Sequence, residues 1–115
     1  MSVIVPVNGA EAAREFYGAL LGLVERDVLP ALDPSRYIWY RAGGEREIHL
    51  MLAEDPVPET KAHFCLSVRR GLDALRERLE LHGVETRDGT SIEGRQRFTC
   101  HDPFGNLVEL AQLET

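Results

Sequence analysis

Three side chains in this sequence have the chemistry of ligands for a divalent transition metal: His49, His63 and Glu109. Two imidazoles and one carboxylate, with coordination positions left for solvent or substrate, suit Fe(II), Mn, Ni or Zn. Taken singly, a histidine in a strand is usually a surface or hydrogen-bonded residue, and a glutamate is usually solvated. A metal site therefore requires that the fold bring all three onto one face.

The elements that would position these residues occur in the same order twice along the chain: a strand, a helix and three strands. Alternating apolar residues predict the strands, and apolar residues at helical spacing predict the helices. Gly22 and Gly83 are expected to end the two helices, and Asn8-Gly9 offers an N-cap for the first. The predicted strands are 3–7, 23–29, 36–42, 47–53, 62–68, 84–87, 95–100 and 106–113, and the predicted helices are 10–22 and 71–83.

A faint internal repeat accompanies this order of elements. The peptide GLVERD begins at residue 22 and the peptide GVETRD at residue 83, a difference of 61 (83 − 22). A similar offset places His49 beside Glu109 (109 − 49 = 60) and Ser2 beside His63 (63 − 2 = 61). The repeat therefore predicts that the candidate ligands occupy equivalent positions in two halves of the chain.

Strand parity predicts the faces, because successive side chains of a strand point to opposite sides of a sheet. Ile48 and Leu50 share one face of the fourth predicted strand, and His49 lies on the other. The aliphatic neighbours of Glu109 in the last strand likewise face away from it, and His63 opposes the aliphatic residues of its strand. Each sheet is thus expected to pack an aliphatic face on a helix and to carry the candidate ligands opposite.

Three other positions remain open between two interpretations. Glu47, two residues before His49, is either a base or a partner of that histidine, or a solvated acid at the strand end. Tyr37 and Trp39 share one face of the third strand, where they either wall a pocket or belong to the core. Arg97 is a candidate contact for an anionic substrate.

Composition excludes several classes of function. The net charge of −6, from 13 basic and 19 acidic residues among 115, disfavours nucleic acid as a partner. No apolar run has the length of a membrane span, and the N-terminus lacks the pattern of a signal peptide. Cys65 and Cys100, without CxxC spacing, indicate unbridged thiols in a reducing compartment. We expect one cytoplasmic domain with no membrane association.

Four motifs together resemble the vicinal oxygen chelate superfamily, the group of glyoxalases, bleomycin-resistance proteins and extradiol dioxygenases. The helix AAREFYGALLGL, the strand IHLML and the strand AHFCLSV match its pattern over nearly the whole chain. The most specific match is HDPFGNLVELAQ, which is similar to the family signature DP-x-GN-x-x-EL. In that segment Asp102-Pro103 would set a turn, and Gly105 and Asn106 tolerate positive φ angles.

The resemblance implies an α+β fold of two βαβββ modules in tandem that form a cupped sheet. It implies one domain over 1–115, with module one at 1–53, a linker at 54–61 and module two at 62–115. Members of this superfamily commonly form homodimers, so a site could lie within one chain or across two.

The resemblance also assigns roles to residues. Glu109 falls on the carboxylate ligand of the second module, where it would also be catalytic, His63 on that module's histidine ligand, and His49 on the ligand position of the first module. The fourth position falls on Ser2, so a three-ligand site is expected rather than a four-ligand glyoxalase site. From strand parity and charge, the candidate substrate-binding residues are Tyr37, Trp39 and Arg97.

Two functions follow from this resemblance. The first is a metal-dependent enzyme of the glyoxalase or dioxygenase type, acting on a small substrate with vicinal oxygen atoms that the metal polarises. The second is a metal-free protein that sequesters a small molecule, as bleomycin-resistance proteins do. A structural remnant, with a filled cavity and paired polar residues, is a third interpretation.

Overall fold

The computed structural model describes residues 2–42, 46–58, 64–89 and 95–113. The chain divides into two compact units, Met1–Pro58 and Glu59–Thr115. The boundary between them lies inside the segment 54–61, where the sequence predicts a linker. No helix within the described residues is long and apolar enough to cross a membrane.

Unit one contains a four-stranded sheet and one helical segment. The sheet has the order β1-β4-β3-β2, in which β1 is parallel to β4 and the other neighbours are antiparallel. The parallel pair requires a crossover, which the helical segment supplies. The elements are β1 (Ser2–Pro6), α1 (Ala10–Ala13) continued by a π-helix (Arg14–Leu20), β2 (Val24–Arg26), β3 (Tyr37–Arg41) and β4 (Glu47–Ala53).

Unit two repeats this topology. Its sheet has the order β5-β8-β7-β6, with β5 parallel to β8 and antiparallel pairing elsewhere. The elements are β5 (Phe64–Val68), α2 (Leu72–Leu81), β6 (Thr86–Asp88), β7 (Arg95–His101) and β8 (Leu107–Leu113). The two units are βαβββ modules in tandem, so the predicted α+β fold is confirmed.

The core of unit one lies between its helical segment and one face of its sheet. Tyr17 of the π-helix lies 6.2 Å from the ring of Tyr40 on β3, and Gly18 lies beside the same tyrosine. Buried residues alternate with more exposed ones in β1 and β4, as predicted, but the three middle residues of β3 are all buried. The buried apolar residues of this unit are Val3, Val5, Ala13, Phe16, Tyr17, Leu20, Ile38, Trp39, Tyr40, Ile48 and Leu50.

The first helix differs from its prediction in two respects. Beyond Ala13 the chain is a π-helix rather than an α-helix, as the hydrogen bond from the Leu21 amide to the Phe16 carbonyl illustrates at 2.9 Å. The N-cap residue is Gly9, and no side chain caps the helix, so Asn8 does not have the expected role. Gly22 follows with a φ of 78°, which supports its predicted place at the helix end.

The core of unit two has the same construction. Leu72, Leu75 and Leu79 of α2 are buried, as their spacing predicts, and α2 contacts β8 and β6. The sheet contributes the buried residues Phe98, Cys100, Val108 and Leu110, while Ala111 is buried on the opposite face, where Glu109 lies. Gly83, with a φ of 83°, ends the helical region.

Candidate functional site

The polar face of unit one is organised by two stacked rings. Trp39 on β3 is the cross-strand partner of His49 on β4, so both side chains lie on the same face of the sheet. Their ring centroids are 3.9 Å apart and their planes differ by 10°. Tyr37 shares this face by parity. Trp39 is nevertheless 5% exposed, so it belongs both to this face and to the buried interior.

His49 has one ring nitrogen that the described residues do not satisfy. Its Nε2 atom is buried and has no hydrogen-bond partner within 2–42, 46–58, 64–89 and 95–113. The nearest charged group is the Glu47 carboxylate, whose Oε1 lies 3.7 Å from that nitrogen. Glu47 also pairs with Arg26 at 3.2 Å, and its side chain is 28% exposed. The stack therefore orients an imidazole whose Nε2 atom has no hydrogen-bond partner among the described residues.

The turn between β7 and β8 positions Glu109, the candidate ligand of unit two. The Oδ1 atom of Asp102 accepts hydrogen bonds from the amides of Phe104 and Asn106, each at 2.9 Å. The Asn106 side chain donates to Oδ2 of the same carboxylate at 2.9 Å, and Gly105 has a φ of 92°. Asn106 does not adopt the positive φ that the sequence allowed, since every described residue with positive φ is glycine. This turn fixes the register of β8 against β7.

That register places Glu109 in a buried ion pair. Glu109 is the cross-strand partner of Thr99, and Arg97 lies two residues further along β7 on the same face. The Nη2 atom of Arg97 contacts Oε1 of Glu109, and the two side chains are only 18% and 6% exposed. A buried carboxylate requires a cation or several hydrogen bonds. In unit two a guanidinium of the chain itself supplies the cation.

Gly89, which follows β6, makes room for this arginine. A Cβ atom at residue 89 would lie 2.6 Å from Nε of Arg97 and 3.2 Å from its Cγ and Cζ atoms. That Nε atom is buried and has no hydrogen-bond partner among the described residues. The position of the guanidinium therefore depends on the pair with Glu109 and on the absent side chain of Gly89.

A small cavity lies at the end of β7 in the same unit. Its lining comes from the segment 85–87 and from the end of β7, and it includes Thr99, the neighbour of Glu109 across the sheet. His101 on this rim is exposed. The lining residues are Glu85, Arg87, Thr99, Cys100 and His101.

The pairing registers of the two units correct the offset that the sequence repeat suggested. In unit one Ser2 lies opposite His49, whereas in unit two Cys65 lies opposite Glu109. By register, the position equivalent to Ser2 is thus Cys65 (65 − 2 = 63), not His63. An offset between peptides cannot reveal this difference, because register depends on how separate strands pair. His63 itself lies outside the described residues.

The described donors fit a divalent metal in part. The unused Nε2 of His49 is suited to an imidazole ligand, and the buried carboxylate of Glu109 is a suitable oxygen donor. Glu109, however, already contacts Arg97. Within the described ranges no group of three or more histidine, cysteine, aspartate or glutamate residues is close enough to hold a metal. Of the three predicted ligands, His49 and Glu109 are described, one in each unit.

The sequence identified Arg97 and Trp39 as candidates, but it did not predict their contacts. In the structure Arg97 pairs with Glu109, and Trp39 stacks on His49. The ion pair could have been found from the turn, since Asp102 to Asn106 sets the hairpin and brings residues 97 and 109 onto one face. The role of Gly89 had no signal in the sequence, because it follows from the path of the Arg97 side chain. Cys65 and Cys100 are both unbridged, as predicted.

A family model described as the Glyoxalase/Bleomycin resistance protein/Dioxygenase superfamily matches residues 2–110. Among solved structures, the chain is similar to a glyoxalase family protein from Bacillus anthracis, with 31% identity and a TM-score of 0.87. That match covers 98% of this chain and 91% of the other. Among curated proteins none matches the sequence significantly.

Two more distant structures have the same fold. A lactoylglutathione lyase from Agrobacterium tumefaciens has 19% identity and a TM-score of 0.71, over 97% of this chain and 91% of that one. An antibiotic-binding protein from Streptomyces sp. CB03234 has 22% identity and a TM-score of 0.69, over 98% and 93%. At these identities the likeness concerns the fold alone, which hosts both an enzyme and a binding protein.

Proposed function

Because the chain belongs to the Glyoxalase/Bleomycin resistance protein/Dioxygenase superfamily, we propose that it is a metal-dependent enzyme acting on a small substrate with vicinal oxygen atoms. The proposed metal ligands are His49, His63 and Glu109, and the metal is Fe(II), Mn, Ni or Zn. The fold occurs in enzymes and in binding proteins alike, so the proposal depends on the chemistry of these residues.

The observation that supports a metal most directly is the unused nitrogen of His49. An imidazole that is stacked at 3.9 Å on Trp39 is held in orientation, and its buried Nε2 lacks a hydrogen-bond partner among the described residues. Leaving a buried polar atom unsatisfied costs about 1–3 kcal/mol. A metal ion bound to Nε2 would remove that cost, and the other ring nitrogen would then carry the proton.

The chemistry that a bound metal supplies is Lewis-acid polarisation of the substrate oxygens. The residues of the chain have separate roles. His49 and Glu109 would donate lone pairs to the metal, and the buried carboxylate of Glu109 would also accept or hold a proton. Tyr37 and Trp39 form an aromatic wall beside His49, where they would exclude water and contact an apolar part of the substrate.

Metal-free binding of a small molecule is the second candidate, and the Arg97–Glu109 pair favours it. A carboxylate that already has a guanidinium as counter-ion does not need a metal for charge balance. One similar structure is described as an antibiotic-binding protein. In this second function the two aromatic rings of unit one would bind the ligand, and the ion pair would be structural.

Metal content separates the two functions. Tag-free protein, exchanged against Fe(II), Mn, Ni or Zn and desalted, is expected to retain close to one metal per site by plasma mass spectrometry. Variants His49→Ala, His63→Ala and Glu109→Ala are expected to lose it. His82→Ala is the matched control, because His82 is exposed and its Nδ1 lies 2.8 Å from the Arg78 carbonyl. Wild-type protein that retains none of the four metals would rule out the metal-dependent enzyme and leave two interpretations, the binding protein and the structural remnant.

A positive result would justify a screen of 2-oxoaldehyde thiol adducts, catechols and other substrates with vicinal oxygens. A negative result would direct the screen to hydrophobic or cationic ligands. We also propose a homodimer, which light scattering coupled to size-exclusion chromatography tests directly. A mass of one chain, at 12.9 kDa, would contradict it.

A further inference from the structure

The carboxylate that is proposed to bind metal has a competitor within its own unit. Arg97 is a permanent cation, because a guanidinium is not deprotonated in proteins. It contacts Oε1 of Glu109, and the two side chains are 18% and 6% exposed, so water screens their interaction weakly. A second cation that binds the Glu109 carboxylate must therefore compete with this guanidinium.

We propose that Arg97 is the resident counter-ion of Glu109, which a divalent metal must displace or share, and that Gly89 sets the strength of this competition by making room for Arg97. The inference rests on the proposed metal-binding function and adds to it two residues, Arg97 and Gly89, that tune metal affinity without being ligands.

The part played by Gly89 follows from distances. A Cβ atom there would lie 2.6 Å from Arg97 Nε, closer than side-chain carbons approach neighbouring atoms, and 3.2 Å from Cγ and Cζ. Each of these atoms belongs to a flexible side chain, which can swing away. Gly89 does not have the left-handed φ angle that would strain an alanine. An alanine at residue 89 should therefore move the guanidinium without changing the backbone or removing either charged group.

The guanidinium of Arg97 is bound through its Nη2 atom, whereas its Nε atom has no partner among the described residues, and this makes its displacement by a metal feasible. Its Nε–H group is buried and has no partner among the described residues, so the contact with Glu109 is what compensates its burial. When a metal takes the carboxylate, the arginine loses that compensation and is repelled by the metal's charge. Removing or moving Arg97 should consequently tighten metal binding.

The test is equilibrium dialysis of metal-free protein against Ni²⁺, followed by plasma mass spectrometry of the protein and the buffer. Arg97→Met and Gly89→Ala are expected to bind Ni²⁺ about tenfold more tightly than wild type, the lower end of the range for groups that act on a metal ligand. Gly18→Ala is the matched control, because its Cβ would meet Tyr40 only at ordinary contact distances of 3.5 Å and above. It should bind as wild type does.

The direction of the change separates a tuning role from a structural one. Loss of a purely structural ion pair would loosen unit two and weaken metal binding, whereas loss of a competitor strengthens it. Should Arg97→Met fold poorly, Gly89→Ala still decides the question, since it keeps both charges. A second measurement needs no metal: the stability coupling between Arg97→Met and Glu109→Gln should be smaller in a Gly89→Ala background.

The outcomes distinguish this inference from the function on which it rests. Wild-type protein that binds Ni²⁺ with an affinity equal to that of both variants overturns the competition and leaves the metal site. Variants that bind Ni²⁺ when wild type does not would support the competition and show that the native chain is metal-free. If no protein in the series binds any of the four metals, the metal-dependent function and the competition both fall.

Discussion

The two units share a strand order, but they stabilise the polar residue of their last strand in different ways. In unit one His49 lies against the indole of Trp39 at 3.9 Å, and its Nε2 has no hydrogen-bond partner among the described residues. In unit two Glu109 is paired with Arg97, and its side chain is only 6% exposed. The first residue is held by an aromatic surface and the second by an opposite charge.

This difference follows from what each side chain costs to bury. A neutral imidazole can be covered by an aromatic ring, since stacking and dispersion compensate its partial desolvation. A carboxylate in the same environment requires a cation, because an isolated buried charge is far more costly. Repeated topology thus supplies equivalent positions, and the residue type at each position determines which neighbours it must have.

The largest expected effect on the free energy of unfolding comes from the buried Arg97–Glu109 pair. In metal-free buffer, Arg97→Met should lower the free energy of unfolding by about 3 kcal/mol, because Glu109 loses its counter-ion. The double variant Arg97→Met/Glu109→Leu should recover most of that loss, since no unpaired charge remains. Urea denaturation of the wild type and the three variants measures the coupling.

Unit one provides the control for this cycle. Its Arg14–Glu25 pair joins Nε to Oε1 at 2.8 Å and Nη2 to Oε2 at 3.3 Å, but the side chains are 51% and 43% exposed. Exposed pairs contribute less than about 1 kcal/mol, so Arg14→Met should change stability little. Equal coupling in the two cycles would remove the contrast between the units.

The next effect in size concerns the turns. Asp102→Ala should destabilise the protein by about 2 kcal/mol, because the buried amides of Phe104 and Asn106 lose their acceptor. Asp33 accepts comparable hydrogen bonds from the Ser35 amide and hydroxyl in an exposed turn of unit one. Asp33→Ala should therefore cost less, and thermal unfolding of the two variants compares them. A larger loss at residue 33 would contradict this explanation.

The stacked rings should have a smaller effect on stability and a specific effect on His49. Trp39→Leu should lower the free energy of unfolding by about 1.5 kcal/mol through loss of the aromatic pair, and nitrogen NMR should report a changed environment of the His49 ring. Tyr37→Leu is the control, since Tyr37 shares strand and face but not the stack. An unchanged His49 spectrum in Trp39→Leu would mean that the indole does not orient the imidazole.

The smallest expected effect concerns how the stability of the two cores depends on alkaline pH. Burial raises the pKa of the Cys100 thiol in unit two from 9.0 to about 12, and that of the Tyr40 hydroxyl in unit one from 10.0 to about 12. Both groups are neutral when protonated, so the native state holds the proton more tightly than the unfolded state. Their contribution to stability is complete below the unfolded pKa and declines as the pH rises towards 12.

The loss from Cys100 should therefore begin about one pH unit before the loss from Tyr40. Between pH 9 and 10 the thiol accounts for about 1 kcal/mol, which Cys100→Ala should remove from the pH dependence measured by urea denaturation. Tyr40→Phe should flatten the curve only above pH 10. Identical pH profiles for the wild type and Cys100→Ala would show that the thiol is not protected in the folded protein.

Much of the fold could be predicted because its signals are local. The burial of Ile48 and Leu50 follows from alternation along one strand, and the end of the first helix follows from Gly22. The π-helical continuation after Ala13 was missed, since the same apolar spacing is read as an α-helix. Register was also missed: the repeat paired Ser2 with His63, whereas strand pairing makes Cys65 its equivalent.

The sequence by itself determined the order of elements, the family and the faces on which His49 and Glu109 lie. Each of these follows from neighbouring residues or from a short motif such as the turn at 102–106. Only the tertiary structure decided that Trp39 stacks on His49, that Arg97 neutralises Glu109 and that Gly89 makes room for Arg97. Such contacts join different strands, and their geometry depends on pairing register and side-chain paths that no local pattern encodes.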